Sequence, residues 1–360
     1  MSKLLSILIP TYNMEALLPR CLDSLLVDGA LEQLEAIVVN DGSRDGSLAV
    51  ATGYKERFPQ TVTVIDKPNG NYGSTINAAL PVAQGKYVKV LDSDDWFDTA
   101  ALVAFLDELE SVEADMVVTH FTILHDDGTR ELTKYNVYGR EPYDYGRVYP
   151  LDEVLAGGYI RYFLMHALTY RTALLRRMGY RQTEGISYTD TEWSCYPVFY
   201  ADDIVFFDIN LYQYNLAREG QTMDPKVIAR SLGQMEQMTR QMLCFYGSQD
   251  LSRLTATRRA FLSQYYTNRI RLMYKCHLLD IPRRQFDAAH FAALDDELTA
   301  ACQRYGFGPV RLYPENKIVR ADALRYWHRH HRRWPRWFEA FNHVVDKVMK
   351  WLFIHMFHKA

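Results

Sequence analysis

Short apolar runs that alternate with helical stretches of about ten residues set the strongest limit on how this chain can fold. Leu4–Ile9, Ala36–Val39, Val62–Ile65, Tyr87–Leu91 and Met116–Thr119 read as buried strands. Between them, Glu15–Leu26, Gly46–Phe58, Ser74–Ala83 and Thr99–Leu109 carry helical spacing. Apolar strands separated by helices need both faces of a sheet covered. This predicts an α/β fold with a mostly parallel sheet and flanking helices. Ligands of such sheets collect where strands end and loops leave for the helices. The polar clusters fall at those ends: Pro10-Thr11-Tyr12-Asn13, Asn40-Asp41-Gly42-Ser43, Lys67-Pro68-Asn69-Gly70 and Asp92-Ser93-Asp94-Asp95.

Residues 121–160 read as loops and short strands, and from Pro225 onward the pattern is helical. The division expected is therefore 1–225 for the α/β domain and 226–360 for a helical C-terminal region. Aromatic residues make up 13% of the 360, too many for a disordered chain. The five cysteines (Cys21, Cys195, Cys244, Cys276, Cys302) form no C-x-x-C pair. They read as reduced thiols, neither a disulfide set nor a zinc site. The N-terminus shows no signal-peptide pattern, and no run approaches the ~18–20 apolar residues a membrane span needs. The expected location is cytoplasmic.

Asp92 and Asp94 alternate at the end of a buried strand. Alternate carboxylates there can share a hard divalent cation, Mn²⁺ or Mg²⁺, and a polyol. The competing reading is a helix N-cap, with Asp98 or nearby acids capping the helix that begins near Thr99. Asp41 can accept a hydrogen bond from a nucleobase or a ribose, or belong to an Asp-Gly-Ser turn. Asn69-Gly70-Asn71-Tyr72-Gly73-Ser74 is neither a G-x-G-x-x-G fingerprint nor a P-loop, yet lets backbone approach a nucleotide closely.

Taken in order and spacing, four stretches resemble the inverting family-two glycosyltransferases of the GT-A fold. They are Ile7–Asn13, Val38–Ser43, Asn69–Gly73 and Leu91–Asp95. The resemblance implies a Rossmann-like nucleotide-sugar transferase, with residues 1–120 as the donor half and 121–225 as the acceptor half. It implies that Thr11, Tyr12 and Asp41 hold the nucleobase, Asp92 the ribose, and Asp94, with Asp92 in reach, the metal. Pro10, Asn13, Asn69, Gly70, Gly73 and Ser93 complete the donor site. The family's base lies in a Glu-Asp pair before an aromatic helix. The matching stretch Thr189-Asp190-Thr191-Glu192-Trp193 has Thr189 where the Glu would stand. Asp190 is the expected base, or an N-cap, with Glu192 its competitor. Two residues apart near a helix start, the two cannot face one cleft. Glu192, Trp193 and His166 are assigned to the acceptor side, although His166 can equally be a core histidine. Arg218 is expected to reach the diphosphate or to be a solvated surface residue.

The resemblance implies sugar transfer from a nucleotide-diphosphate donor, of UDP type, to a hydroxyl of a saccharide or lipid-linked acceptor, as in cell-surface polysaccharide synthesis. The alternative is a catalytically silent nucleotide-sugar-binding regulator tethered to membrane.

From residue 320 on, nine Lys/Arg face three acids, although the whole chain is net −3. Trp334, Trp337, Phe338, Phe341, Val345, Val348 and Leu352 recur at helical spacing within a basic stretch 325–357. A basic amphipathic helix of this kind fits the inner membrane surface, with Arg325–Arg333 at anionic headgroups. It also fits a helix packed on protein. The acidic body argues against nucleic acid as partner.

Overall fold

The computed structural model describes residues 3–134, 142–216, 225–312, 322–338, 340–341, 344–345 and 347, the side chains of 225–229 excepted. Arg218 and all of the tail beyond residue 347, Val348 and Leu352 included, lie outside the described residues. The chain forms two compact units, one of Met1–Gln221 with Ser248–Leu262, the other of Thr222–Gly247 with Ser263–Ala360.

Four strands of the first unit, β1 (Leu5–Thr11), β2 (Leu34–Asp41), β3 (Val62–Lys67) and β4 (Tyr87–Val90), lie in the order β3-β2-β1-β4 and run parallel. Helices α1 (Leu18–Asp23), α2 (Ser47–Arg57) and α3 (Asn71–Ala79) make the returns. Two of them are shorter than their spacing suggested. Proline lacks an N–H and fixes φ, so Pro19 belongs in the first turn of α1, and the Ser24 hydroxyl closes the helix on the Cys21 carbonyl at 2.6 Å. Pro81 likewise stops α3 at Ala79 rather than Ala83.

Beyond β4 the sheet becomes mixed. β5 (Trp96–Phe97) and α4 (Thr99–Ser111) lead to β6 (Met116–Leu124), β7 (Arg130–Thr133), β8 (Val148–Pro150), α5 (Leu151–Ala156), β9 (Leu168–Arg171), α6 (Thr172–Arg177), α7 (Asp190–Cys195) and β10 (Asp203–Asn215). The order continues β4-β9-β6-β10-β5, with β7 on β6 and β8 on β10. β9 runs antiparallel to both neighbours, while β6 and β10 pair in parallel. The sequence pattern missed β9 and β10 and ended β6 at Thr119. Two register shifts in β10, between Phe206 and Asn210 and between Asn210 and Tyr212, break the period-two alternation that marks a strand.

In the second unit the described elements are helical: α8 (Pro225–Ser248) up to Gly247, α9 (Ala256–Lys275) from Ser263, a π-helical turn Cys276–Asp280, α10 (Ala288–Tyr305) and α11 (Ala323–His330). Asp287 caps α10 by accepting from the Ala289 and His290 N–H groups, and Asp322 caps α11 in the same way. All five cysteines are free thiols.

The tail departs from the expected stripe. Trp334 is buried with its ring 4.7 Å from Phe338. Arg333 is buried too, donating to the carbonyls of Ile281 at 2.7 Å and Leu279 at 3.4 Å. A π-turn's C-terminal carbonyls need donors, which is why this arginine turns inward rather than toward a headgroup. Trp337, Phe341 and Val344 are exposed. No helix of the described residues is long and apolar enough to cross a membrane.

A Cβ on Gly73 in α3 would lie 2.1 Å from the Thr183 carbonyl oxygen, whereas one on Gly53 in α2 would meet nothing within 4 Å. Gly73→Ala should therefore cost about 1–3 kcal/mol by overpacking. Gly53→Ala, in a helix interior, should gain up to about 1 kcal/mol. Denaturant midpoints of the two variants check the opposite signs.

Candidate functional site

The carboxyl ends of β1, β2 and β4 converge on one polar region. At the end of β2, Asp41 is buried, and its Oδ1 accepts from Lys67 Nζ at 2.6 Å, the Gly70 N–H at 2.9 Å and Ser74 Oγ at 3.4 Å. Asn69 Nδ2 donates to the Asp41 carbonyl at 2.9 Å. The turn passes through Gly42 at φ +68°, where an added Cβ would lie 2.9 Å from Asn69 N, so only glycine fits. Asp41 is thus both the turn residue and a fixed carboxylate. After β1, Thr11 is buried and donates to the Ile9 carbonyl, and Tyr12 is exposed. Asn13, at φ 54°, exchanges hydrogen bonds with the Ser43 hydroxyl and the Arg44 N–H. Pro10 accepts from the Ser93 hydroxyl at 2.8 Å, which ties the ends of β1 and β4 together.

Asp92, Asp94 and Asp95 follow β4, with one carboxylate oxygen from each lying within 4.8 Å of the others. Helix α4 takes its cap from Asp98, whose side chain accepts from the Ala101 N–H at 3.0 Å. The three acids upstream are therefore not its cap. Asp92 accepts from the Tyr72 hydroxyl at 2.8 Å. Asp95 is buried and accepts from the Tyr212 hydroxyl at 2.6 Å and the Asn215 N–H at 2.7 Å. Burial first, then the charges of Asp94 and Asp92, hold the Asp95 carboxyl well above the usual range against those two bonds. All-oxygen donors, two of them part-exposed, fit a hard divalent cation. Sequence reading named Asp92 and Asp94 but gave no task to Asp95, Tyr72 or Tyr212. Asp95 stood in the same acidic run and was legible. Tyr72 and Tyr212 were not, because their partners lie 20 and 117 residues away.

Helix α7 separates the two candidate bases. Asp190 is its first residue and exposed, and Glu192 is fully buried at 0% exposure. A helix turns ~100° per residue, so positions two apart face opposite ways. Glu192 Oε2 accepts from the Thr183 N–H at 2.7 Å, and Oε1 accepts from Thr183 Oγ1 at 2.7 Å and the Tyr196 hydroxyl at 2.9 Å. Burial raises its pKa against those bonds. Trp193 is also interior, between Tyr170 at 5.1 Å and Tyr180 at 5.5 Å. Both residues, expected on the acceptor side, instead brace α7 from within. Asp190 shares the field of the acidic cluster. The pKa of the Tyr72 hydroxyl is raised by burial, then by Asp92 and after it Asp190, and that of Tyr214 by burial, then by Asp95, Asp92 and Asp190.

His166 lies in an aromatic nest, stacked on Tyr214 at 4.1 Å and edge-on to Tyr212 at 4.9 Å. Burial, then the Lys89 charge, lowers its pKa to about 3, so the ring stays neutral. Lys89 of β4 is 0% exposed, and its Nζ donates to the carbonyls of His166 at 2.8 Å and Leu168 at 3.1 Å. Burial alone pushes its pKa down to about 7. The apolar strand pattern gave no signal for this group.

Residues 6–179 match the model of glycosyl transferase family 2. The match spans just under half of the chain. Over 134 residues the chain is 37% identical to hyaluronan synthase of Pasteurella multocida, which covers 37% of this chain and 14% of that protein. The chain spans about a third of the length of other curated relatives it matches. Among solved structures, TarS 1–349 of S. aureus in complex with UDP-GlcNAc superposes with a TM-score of 0.56 at 20% identity, covering 84% of this chain and 92% of that one. The mannosyltransferase PcManGT of Pyrobaculum calidifontis in complex with GDP-Man and Mn²⁺ gives a TM-score of 0.52 at 14% identity, covering 100% and 89%. At such identities the likeness is one of fold, and that fold is GT-A.

Lys89 gives the first unit a pH signature. Its folded pKa of about 7 lies below the ordinary lysine value of 10.5, so the unfolded chain binds more protons between those values. Its contribution to stability therefore rises with pH above about 7 and is lost as pH falls toward it. Between pH 7 and 9 the wild type should gain on Lys89→Met by on the order of 1 kcal/mol per pH unit. Urea midpoints of both proteins at several pH values read the difference.

Proposed function

We propose that the chain is an inverting glycosyltransferase that moves a sugar from a UDP-type nucleotide-diphosphate donor to a hydroxyl of a saccharide or lipid-linked acceptor. One observation carries this reading: the carboxylate cluster at the end of β4 binds the Tyr72 hydroxyl through Asp92, and Asp190, exposed at the start of α7, raises the pKa of that same hydroxyl. The GT-A neighbours with UDP-GlcNAc or GDP-Man and Mn²⁺, and the hyaluronan synthase relative, favour the same chemistry.

Asp41, Thr11, Tyr12 and Asn13 are assigned to the nucleoside. Asp41 Oδ1 is tied by Lys67 and Gly70, which fixes the carboxylate before any base arrives, while the exposed Tyr12 ring offers a stacking face. Asn69, Gly70 and Gly73 shape the backbone beside it, and Ser93 holds the Asp92–Asp94 turn to β1. Asp92 and Asp94 would hold Mn²⁺ or Mg²⁺, which when bound offsets the charge of the departing diphosphate. Asp190 takes the proton of the acceptor hydroxyl as that oxygen bonds to the anomeric carbon. The bond from that carbon to the diphosphate oxygen breaks on the opposite face, so configuration inverts. Arg218 is assigned to the diphosphate. His166 is kept at the acceptor side only as a neutral shelf under Tyr214.

We assign the exposed Trp337, Phe341 and Val344 to contact with the inner membrane surface, consistent with a lipid-linked acceptor and a cytoplasmic catalytic face. The domain division expected from sequence, 1–225 and 226–360, is kept as the functional one.

A general base contributes ~10²–10⁴-fold, so Asp190→Asn should lower kcat by that factor while leaving donor affinity intact. Asp94→Asn should instead remove Mn²⁺-dependent donor binding. UDP release and donor titration on both variants test the assignment, and unchanged turnover in Asp190→Asn overturns it. Trp337→Ser with Phe341→Ser should reduce co-sedimentation with anionic vesicles and spare turnover on a soluble acceptor. Equal sedimentation of the variant and the wild type removes the membrane assignment.

A further inference from the structure

The second unit brings together three side chains that the transferase chemistry does not use. Glu236 comes from α8, His277 from the π-helical turn Cys276–Asp280, and His290 from the first turn of α10. Both imidazole Nε2 atoms aim at one carboxylate oxygen, Glu236 Oε1, at 3.0 Å from His277 and 2.9 Å from His290. Glu236 and His277 are buried, and half of His290 reaches solvent. The second oxygen, Oε2, also lies 3.1 Å from His290 Nε2, and 3.5 Å from Arg240, whose guanidinium meets Glu297 as well. Oε1 is therefore the oxygen on which both imidazoles converge. The π-turn has its own bearing on this cluster. Five residues wound at i→i+5 are costly and appear mostly where a side chain must be re-aimed at a site. Here the turn aims His277 inward beside Phe291, ring centroids 5.2 Å apart.

From this convergence we propose a structural zinc site made by Glu236, His277 and His290, with water from the exposed side of His290 as the fourth ligand. Two imidazoles and one carboxylate are a borderline-soft set that suits Zn²⁺ over Mg²⁺ or Ca²⁺. Metal–ligand bonds of ~2.0–2.2 Å at tetrahedral angles set donor atoms ~3.3 Å apart, so an outward shift of a few tenths of an ångström in each imidazole opens the site. The ion would link α8, the end of α9 and α10, three elements far apart in sequence. It is separate from the acidic cluster of the first unit in both place and ligand chemistry, and it does not depend on the transferase reading.

The experiment uses the full chain, stripped with chelator and titrated with ZnCl₂ alone. The wild type should bind one zinc that survives gel filtration, with its melting temperature raised at saturating metal. His290→Ala, at the exposed end where folding is least at risk, should lose that zinc and that shift. Co²⁺ adds a second readout, because tetrahedral nitrogen ligation gives strong visible absorption that a carboxylate-only site does not. The absorption should be present in Asp92→Asn with Asp94→Asn and absent in His290→Ala. Failure of the wild type to bind zinc, or retention of zinc and shift by His290→Ala, overturns the proposal and leaves a hydrogen-bonded His–Glu–His cluster. Neither result touches the assignment of the β4 carboxylates.

Discussion

Three carboxylates crowd together where β4 ends, with oxygens within 4.8 Å. At an effective dielectric of about 20, each charged pair at that spacing costs on the order of 3 kcal/mol. The surrounding structure answers that repulsion in two ways. Asp95 is withdrawn from solvent, and burial together with the charges of Asp94 and Asp92 raises its pKa. Its oxygens are at the same time spent on the Tyr212 hydroxyl and the Asn215 backbone, so the buried acid also fastens the Asp92–Asp94 turn to β10. Asp92 and Asp94 stay part-exposed beside it, where a divalent cation would offset the repulsion.

Fastening runs through the rest of the first unit. The Ser93 hydroxyl holds the β4 turn to Pro10 of β1, Tyr72 of α3 holds Asp92, and Lys67 with Gly70 holds Asp41. Each polar residue at a strand end is thus oriented by a partner from another element. Preorganised groups cost little rearrangement when charge develops beside them. Beneath this surface sits a buried polar layer in which Lys89 finds carbonyls rather than carboxylates and the His166 ring stays neutral. That layer lets the central strand pass under the acids without placing a second fixed charge there.

The region around α7 separates two acids that look alike in sequence. Asp190 is exposed and Glu192 is fully buried because the helix turns them to opposite sides. The buried one spends both oxygens on Thr183 and Tyr196, and Gly73 admits the Thr183 carbonyl close against α3. The loop before α7 is therefore clamped from two directions, which sets where Asp190 stands relative to Tyr72.

Local chemistry was enough to determine the first half of the sheet. Apolar runs, proline positions and polar clusters at strand ends depend only on neighbours in sequence, so β1 to β4 and the acids at their tips could be read directly. The same holds for the incompatibility of Asp190 and Glu192, which follows from helix pitch. Tertiary structure alone decided the mixed half: β9 slips in antiparallel between β4 and β6, and the register shifts of β10 erase the alternation that would have announced it. It also decided that Glu192, Trp193, Arg333 and Trp334 face inward, since each answers to partners well separated in sequence or to carbonyls left open by another turn. The Glu236–His277–His290 cluster belongs to this class as well, for no spacing of ligands along the chain foretells three helices meeting at one oxygen.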